Sequence, residues 1–264
     1  MTTAAAPIGE PEAVGADACL VSVVMPVYNA RDFLRASVAS VLEQTHRRLE
    51  LVAVDDGSSD GSLELLTTLA QEDARIRVIR QPVNGGVAAA RNAGLAAATG
   101  SHIAFLDSDD RWHPRKLELQ LAWMLQTGAR VAYAAYDRVA PSGKLLSQVR
   151  PPASVSYADM LKSNYICLST GMYDRSLGDV SFRKIGHEDY VFWLDLVRRA
   201  GAALCVDAPE PLAWYLVREG SVSSNKLRAA RWQWRIYRDV EKLGWVRATT
   251  CMAHYVWHAL RKRR

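Results

Sequence analysis

Three aspartates stand within four positions at the end of the segment HIAFLDSDD, residues 102–110: Asp107, Asp109 and Asp110. Carboxylates this close repel one another unless a cation lies between them. Two aspartates separated by one residue can bind one hard divalent cation, and that cation can also bind a diphosphate. The alternative is a set of caps for the next helix, for which one aspartate is enough. The spacing favours Asp107 and Asp109 as ligands of a hard divalent cation, and it leaves a cap, a supporting role or direct binding open for Asp110.

A second acidic segment, VDDGSSDG at residues 54–61, contains Asp55 and Asp56. Ser58 and Asp60 fit a turn followed by a helix cap, since Ser, Gly and Asp favour both. Two adjacent acids at the end of a buried strand need hydrogen-bond donors, and a nucleobase N–H or a ribose hydroxyl can supply them. The segment matches neither the GK[ST] ending of a P-loop nor the GxGxxG dinucleotide motif.

The segment NGGVAAARNAG, residues 84–94, predicts a helix that starts after two glycines. Its alanines fit close packing against a sheet, and its N-terminus also favours anions. Arg91 lies one to two turns into this helix, where its guanidinium can reach either a phosphate or an acidic neighbour. Arg91 and Asn92 are therefore candidates for binding a phosphorylated ligand.

The tripeptide His-Glu-Asp at residues 187–189 begins a further predicted helix. A helix N-terminus favours one acidic residue through its dipole, which leaves the second acid without a structural explanation. Glu188 and Asp189 are therefore candidates for a carboxylate that faces the metal site and acts as a general base.

Apolar segments alternate with helical patterns through the first half of the chain. Five strands are predicted by the apolar runs LVSVVMPVYN, LELVAVDD, IRVIR, HIAFLD and VAYAAY, the last over residues 131–136. The segments between them have helical spacing. This alternation predicts an α/β fold with a doubly wound, mostly parallel sheet. Ligands of such sheets bind beyond the carboxyl ends of the strands, which is where the acidic segments stand.

The second half of the chain has a different pattern. Pro114 predicts the first position of a helix that extends to Gln126, and residues 157–163 predict a short helix. Residues 186–201 predict a strongly amphipathic helix, and residues 203–206 predict a strand.

The composition fits a globular protein with a sizeable core, since 49% of the 264 residues are hydrophobic and 23% are charged. Four widely spaced cysteines without a CxxC or CxxH motif argue against a zinc site and fit a reducing cytoplasm. The N-terminus lacks the basic and apolar regions of a signal peptide, and no run of 18 apolar residues indicates a spanning helix. We therefore expect a cytoplasmic protein.

Basic residues are concentrated at the C-terminus. Residues 226–264 contain eleven Lys or Arg and two acids, so this segment has a net charge of +9. The rest of the chain has a net charge of −4, which gives the overall net charge of +5. The segment has no recognised nucleic-acid-binding motif, and a plain solvated helix would not need its four tryptophans. Arg and Lys mixed with Trp and Tyr are typical of helices on an anionic membrane surface. Packing against the body and a dimer contact are the alternatives.

Five segments resemble, in order and spacing, the GT-A fold of glycosyltransferase family 2: VSVVMPVYNA, LVAVDDGSSDGS, NGGVAAARNAG, FLDSDD and HEDYVFWLDL. The resemblance extends from about Val21 to about Asn225. Each segment alone has little specificity, whereas the ordered set has much more. Within this family, the sequence resembles the bacterial transferases that build teichuronic acid, O-antigen and capsular or exopolysaccharide.

The resemblance implies a role for each motif. The nucleotide sugar would contact Pro26, Tyr28, Asn29, Asp55, Asp56, Arg91, Asn92, Asp107, Ser108 and Arg218. Asp107 and Asp109 would also bind Mn²⁺ or Mg²⁺ on the diphosphate. Asp189, with Glu188 beside it, would deprotonate the acceptor hydroxyl.

The resemblance also implies a reaction. The donor would be a UDP-, GDP- or dTDP-sugar, the acceptor a lipid-linked or saccharide hydroxyl, and the anomeric centre would be inverted in one displacement. Processive members carry QxxRW and spanning helices, whereas this chain has Arg228 in place of the glutamine and no spans, so we expect transfer of a single sugar. A non-catalytic nucleotide-sugar-binding protein and a sugar nucleotidyltransferase are the alternatives, but the second would need a glycine-rich signature near the first strand.

The implied organisation has three parts: a flexible lead over residues 1–18, a GT-A domain over residues 19–225 and a basic helical tail over residues 226–264. Within the domain, residues 19–137 would bind the nucleotide and residues 138–225 the acceptor. For the tail, we expect either a contact with the inner face of the cell membrane or a contact with protein. The oligomeric state is left open.

Overall fold

The computed structural model describes Gly15, residues 18–218 and residues 226–261. The expected flexible lead lies outside the described residues except for Gly15 and Ala18. The loop that follows Arg218 also lies outside them.

Two sheets make up the strand structure of the described residues. Their strands are β1 (Val21–Val27), β2 (Leu49–Asp55), β3 (Ile76–Arg80), β4 (His102–Phe105), β5 (Arg111–Trp112), β6 (Val131–Tyr133), β7 (Tyr136–Val139), β8 (Leu145–Val149), β9 (Ser154–Ser156), β10 (Met172–Asp174), β11 (Ala202–Cys205) and β12 (Ala213–Leu216). The larger sheet has the order β3-β2-β1-β4-β10-β6-β11-β9, and the smaller one β5-β12-β7-β8. In the larger sheet only β10 and β9 run antiparallel to their neighbours, which confirms the mostly parallel α/β sheet.

Helices cover both faces of the larger sheet. They are α1 (Arg31–Leu42), α2 (Ser62–Glu72), α3 (Val87–Ala97), α4 (Lys116–Thr127), α5 (Tyr157–Met160), α6 (Glu188–Ala200), α7 (Lys226–Arg235) and α8 (Trp245–Arg261). One core contains side chains of α1, α2 and α4, and the other contains side chains of α3, α5, α6 and α8. All seven residues of β1 are buried, because a parallel strand covered on both faces has no solvent side.

Small residues let α3 pack very close to β1. A Cβ atom at Gly94 would stand 2.5 Å from Cγ1 of Val24, and Ala88 and Ala90 are buried. The expectation that this alanine-rich helix packs on the sheet is confirmed. A larger residue at position 94 would push α3 away from the sheet, and with it Arg91.

The run at residues 131–136, expected as one strand, forms two strands in different sheets. β6 pairs with β10 and β11, whereas β7 pairs with β12 and β8. Ala134 and Ala135 between them are buried, so the apolar pattern continues through the bend and conceals it. The smaller sheet, which the sequence did not predict, carries the chain through β12 towards Arg218.

Several boundaries differ from the expected ones. The helix expected to begin at Pro114 begins at Lys116, because Pro114 lies in a turn closed by a 3.0 Å hydrogen bond from the Lys116 N–H to the His113 carbonyl. The helix expected over residues 157–163 ends at Met160. The amphipathic helix near residues 186–201 is α6, as expected.

The inner side of the tail packs on the body. Ile236 and Tyr237, in a π-helical turn between α7 and α8, are buried in the core that contains α6. The Tyr237 hydroxyl donates to the carbonyl of Leu161. Packing against the body is therefore confirmed for this side of the tail. Every helix in the described part of the chain is too short or too polar to cross a bilayer.

Lys116 is fully buried, and it has no acidic partner among the described residues. Its Nζ donates to Gln120 Oε1 (2.7 Å) and lies 4.0 Å from the centre of the Trp112 ring. Burial lowers the pKa of Lys116 from 10.5 to about 7, since a low-dielectric interior disfavours the charged form.

We expect Lys116→Met to reduce the pH dependence of stability. Between the folded pKa of about 7 and the unfolded value of 10.5, the unfolded wild type binds one more proton than the folded wild type. The free energy of unfolding of the wild type therefore rises with pH across this window. The stability of the variant relative to the wild type should fall by up to about 1.4 kcal/mol per pH unit. Urea denaturation of both proteins across this pH range measures the difference between their free energies of unfolding. A difference that does not change with pH would contradict a buried, neutral Lys116.

Candidate active site

The polar strand ends meet at one edge of the larger sheet. β1, β2 and β4 are adjacent and parallel, so their carboxyl ends lie side by side. Asn29 follows β1 with a left-handed φ of +48°. Its N–H donates to Ser58 Oγ (3.1 Å), and its Oδ1 accepts from the Ser59 N–H (2.9 Å). The ends of β1 and β2 are thereby held together.

Pro26, Tyr28 and Ser108 differ in what they present at this edge. Pro26 is buried within β1 opposite Val54, whereas Tyr28 is 53% exposed and offers an aromatic face on which a nucleobase can stack. The Ser108 carbonyl accepts from Ser37 Oγ (2.9 Å), which ties the acid cluster to α1.

Asp55 and Asp56 are both buried, yet only one of them is fully hydrogen-bonded. Asp56 accepts from the N–H groups of Gly85 (2.8 Å) and Gly86 (2.9 Å), one on each carboxylate oxygen, so it fixes the loop that opens α3. Asp55 accepts through Oδ2 from Ser58 (3.3 Å). Its buried Oδ1 has no partner within the described residues, so it lacks the hydrogen-bond donor that a buried carboxylate oxygen requires.

Arg91 reaches an acidic neighbour. Its guanidinium binds Oδ1 of Asp107 at 2.7 Å and lies over the Phe182 ring. Asn92 is oriented differently: its Nδ2 donates to the Phe182 carbonyl (2.9 Å), and its Oδ1 accepts from the Phe182 N–H (2.8 Å). These two hydrogen bonds hold Asn92 against the segment at Phe182, and its contact with the nucleotide stays a prediction.

Asp107 and Asp109 form a negative pair beyond β4. Their side chains are 31% and 17% exposed. Burial, and next the charge of Asp107, raise the pKa of Asp109 above its ordinary value, although the Arg218 guanidinium contacts the same carboxylate and opposes the rise. Asp109 therefore stands where additional positive charge would be stabilising.

Asp110 is a supporting residue. It is buried, and its oxygens accept from Ser169 Oγ (2.6 Å) and from the Leu216 N–H (2.9 Å). Burial, then the charges of Asp107 and Asp109, raise its pKa well above the ordinary value. Because Leu216 ends β12, Asp110 joins the acid cluster to the strand that leads to Arg218.

We expect Asp110→Ala to lower the free energy of unfolding by about 2 kcal/mol, because it leaves the Ser169 hydroxyl and the Leu216 N–H without partners. Asp110→Asn is the matched control, since its amide can serve both groups without a charge. Urea denaturation at neutral pH compares them. If Asp110→Asn destabilises the protein as much as Asp110→Ala does, the hydrogen bonds are not what Asp110 contributes.

Asp189 and Glu188 occupy the first turn of α6 and are half-buried. The Asn164 side chain donates from Nδ2 to Asp189 Oδ2 at 3.3 Å. Asn164, like Ser169, stands in a segment without a recognisable motif, and the sequence did not predict either residue. The contact fixes the orientation of a carboxylate that retains access to solvent.

The candidate base and the acid cluster converge on one side chain, Cys167. Burial raises the pKa of its thiol well above the ordinary value, and the negative charges of Asp110, Asp107 and Asp189 raise it further. The segment from Asn164 to Ser169, which contains Cys167, also connects the two places: Asn164 donates to Asp189 at one end, and Ser169 contacts the Asp107 N–H and the Asp110 carboxylate at the other. Asp107 and Asp189 therefore lie on either side of one short segment, although about eighty residues separate them in sequence.

The tail contacts the loop in front of the candidate base. The Trp232 ring of α7 lies edge-on to His187, with ring centres 5.5 Å apart. A Cβ atom at Gly186 would stand 2.4 Å from this indole, and Gly186 has a left-handed φ of +77°. Glycine is needed at this position for both reasons. α7 therefore forms part of the wall beside Asp189.

The residues at the D-x-D pair fit a divalent cation that is bound together with a ligand. Among the described residues, no group of three His, Cys, Asp or Glu side chains could hold a metal on its own. Mg²⁺, however, is commonly bound by one or two carboxylates, with phosphate oxygens and water completing its shell. Asp107 and Asp109 provide such carboxylates, and burial together with the charge of Asp107 raises the pKa of Asp109 despite its contact with Arg218.

Residues 22–184 match the family model described as glycosyl transferase family 2. The chain belongs to this family. The match includes the strand-end acids and the D-x-D pair, and ends just before Asp189.

Two relatives of this family 2 chain carry glycosyltransferase names. TuaG of Bacillus subtilis (strain 168), named a teichuronic acid biosynthesis glycosyltransferase, is 39% identical over 92% of this chain and 97% of the relative. WfgD of Escherichia coli, named UDP-Glc:alpha-D-GlcNAc-diphosphoundecaprenol beta-1,3-glucosyltransferase, is 34% identical over 84% of this chain and 87% of the relative. The family 2 chain is accordingly a glycosyltransferase.

Solved structures share the fold of this glycosyltransferase. Staphylococcus aureus TarS 1-349 in complex with UDP-GlcNAc has a TM-score of 0.68 at 20% identity, covering 89% of this chain and 71% of that one. The mannosyltransferase PcManGT of Pyrobaculum calidifontis, in complex with GDP-Man and Mn²⁺, has a TM-score of 0.66 at 17% identity, covering 89% and 68%. These likenesses confirm the GT-A fold.

Proposed function

We propose that this chain is an inverting, metal-dependent glycosyltransferase that moves one sugar from a nucleotide-diphosphate sugar to a hydroxyl of a lipid-linked or saccharide acceptor. The connection of Asp107 and Asp189 through the segment from Asn164 to Ser169 carries the proposal. It brings a diphosphate-binding pair and a general base to one place from separate parts of the chain.

The nucleotide lies at the ends of β1 and β2. Asp55 Oδ1, which is buried and has no partner within the described residues, accepts a hydrogen bond from the base or the ribose. The exposed ring of Tyr28 stacks on the base. Asn29 holds the turn after β2 against the end of β1. This arrangement suits a UDP-, GDP- or dTDP-sugar.

The diphosphate lies over the D-x-D pair. Arg91 holds Oδ1 of Asp107, so Oδ2 of Asp107 and the carboxylate of Asp109 are the groups that would hold Mn²⁺ or Mg²⁺. When bound, the cation neutralises the charge that develops on the leaving diphosphate. Arg218, which now contacts Asp109, can turn its guanidinium to the same phosphates.

Asp189 acts as the general base. It takes the proton of the acceptor hydroxyl, whose oxygen forms a bond to the anomeric carbon from the side opposite the diphosphate. The bond from that carbon to the diphosphate oxygen breaks, and the electron pair leaves with the diphosphate. One displacement of this kind inverts the anomeric centre. Asn164 keeps the Asp189 carboxylate oriented for the attack.

Two relatives support the proposed acceptor class. The name of WfgD gives it a diphosphoundecaprenol-linked acceptor, and the name of TuaG places it in teichuronic acid biosynthesis. Because both align along most of this chain, we assign it to cell-surface polysaccharide synthesis with a lipid-linked acceptor. The reaction then takes place at the inner face of the cell membrane.

Turnover of nucleotide sugars tests the proposal. UDP-, GDP- and dTDP-sugars are incubated with the full chain and Mn²⁺, with and without diphosphoundecaprenol-linked saccharides, and the release of nucleoside diphosphate is measured. We expect nucleoside diphosphate to be released from sugars of one of the three bases, and we expect the release to be faster when the acceptor is present. Pyrophosphate release from a nucleoside triphosphate and a sugar phosphate would indicate a nucleotidyltransferase instead. Binding without turnover of any donor would indicate a non-catalytic protein.

A further inference from the structure

The two sides of α8 have different surroundings. Ala248 and Cys251 are buried in the core that contains α6, and Met252 packs against the same core. These residues recur at helical spacing and attach α8 to the body. The opposite side of α8 faces away from this core.

The outer side of α8 concentrates exposed apolar surface. Trp245 is 67% exposed, Val246 84%, Val256 45% and Trp257 48%. These four are nearly half of the ten large apolar side chains that are exposed within the described residues. On a helix their positions fall within an arc of about 120°. The α8 face is defined as Trp245, Val246, Thr249, Ala253, Val256 and Trp257.

Such a face indicates an interaction. Single exposed apolar side chains are common on protein surfaces, whereas two exposed apolar pairs on the same side of one helix, here separated by Thr249 and Ala253, indicate a contact with a partner or a lipid surface. A helix that is apolar on both its inner and its outer side has more apolar surface than attachment to the body requires.

Basic side chains border the α8 face. The Arg238 guanidinium lies 4.3 Å from the centre of the Trp245 ring, and Arg247 is exposed on α8 itself. In sequence, residues 226–264 carry +9. A symmetric dimer through this face would bring two such segments together with like charges opposed. The charge favours an anionic partner over a second copy of the chain.

We propose that the α8 face docks on an anionic lipid surface. Its apolar side chains enter the region between headgroups and acyl chains, and its basic border contacts the headgroups. Tryptophan suits this depth because its ring is apolar and its N–H is polar. This proposal rests on the proposed function only for the location at the membrane. It adds the surface of the chain that makes the contact.

Docking in this way places the candidate active site beside the lipid. α7 joins α8 through the π-helical turn, and Trp232 of α7 contacts His187, two residues before Asp189. The proposed base therefore lies on the part of the domain that the tail covers. An acceptor held in the membrane would reach it over a short path.

Vesicle flotation of the full chain tests the proposal. Vesicles of phosphatidylcholine with phosphatidylglycerol are compared with vesicles of phosphatidylcholine alone. We expect the wild type to bind the anionic vesicles at least tenfold more strongly. The double variant Val246→Glu/Val256→Glu, which puts two carboxylates on the α8 face, should lose at least tenfold in binding to them. Its melting temperature verifies the fold, which we expect to persist because both side chains are exposed.

The matched control is Leu145→Glu/Leu146→Glu, which makes the same charge change at two exposed apolar residues of β8. This control should bind as the wild type does. The proposal is overturned if the wild type does not float with anionic vesicles, or if the control loses as much binding as the α8 variant. A wild-type dimer that the α8 variant dissociates, without vesicle binding, would assign the face to self-association. No arm needs turnover, so this proposal and the proposed function fail separately.

Discussion

Asp189→Asn is expected to lower kcat for sugar transfer by about a thousandfold, because an amide cannot accept the proton of the acceptor hydroxyl. The asparagine keeps the size of the side chain and an oxygen for the Asn164 donor, so the fold and donor affinity should change little. Steady-state transfer with saturating donor measures kcat, and titration with the nucleoside diphosphate measures donor affinity.

Asp195→Asn provides the control for this substitution. Asp195 lies on the same helix, two turns towards its end, and pairs with Arg199 on the surface. We expect this variant to keep nearly full activity, since surface ion pairs contribute little. If Asp189→Asn retains activity within a few-fold of the wild type, Asp189 is not the base, and Glu188 becomes the next residue to replace.

Asp109→Asn is expected to lower kcat/KM for the donor by about a hundredfold, because the cation on the diphosphate loses a charged ligand. The variant should also need a higher Mn²⁺ concentration for half-maximal activity. Activity measured across a Mn²⁺ titration separates weaker metal binding from a loss of activity that does not depend on Mn²⁺. Removal of metal with a chelator should abolish transfer by the wild type, and added Mn²⁺ should restore it.

Asp73→Asn is the matched control for Asp109→Asn. Asp73 also pairs with an arginine, Arg75, but at the far end of α2. Its replacement should leave the Mn²⁺ dependence unchanged. If Asp109→Asn leaves both kcat/KM and the Mn²⁺ requirement unchanged, the D-x-D pair does not bind the metal.

Local patterns were enough to predict the parallel strands of the larger sheet, but not its antiparallel strands β9 and β10. Buried parallel strands are continuous apolar runs, and each run ends in polar residues at the same edge. Asp55, Asp107 and Asp109 could therefore be singled out before any contact was known. The resemblance of five ordered motifs added the family and the expected roles, including the role of Asp189.

Contacts between distant segments could not be predicted in this way. Asp110 bonds Ser169 and Leu216, which are 59 and 106 positions away, and no local pattern records such a pairing. The same holds for Asn164 beside Asp189. The smaller sheet was missed because Ala134 and Ala135 keep the pattern apolar where the chain changes sheets. The contact of Asn92 with Phe182 was missed as well, since the helix pattern does not reveal which residue lies opposite it.

The burial of Ile236 and Tyr237 makes the tail a structural part of the domain. The tail and the body share one core, so they should unfold as one cooperative unit. Anything that binds only the folded tail then stabilises the whole domain by mass action. Anionic vesicles should accordingly raise the melting temperature of the GT-A domain together with that of the tail. Deletion of residues 226–264 would remove core side chains together with the proposed lipid contact, which is why point substitutions on the outer side of α8 are needed to separate the two.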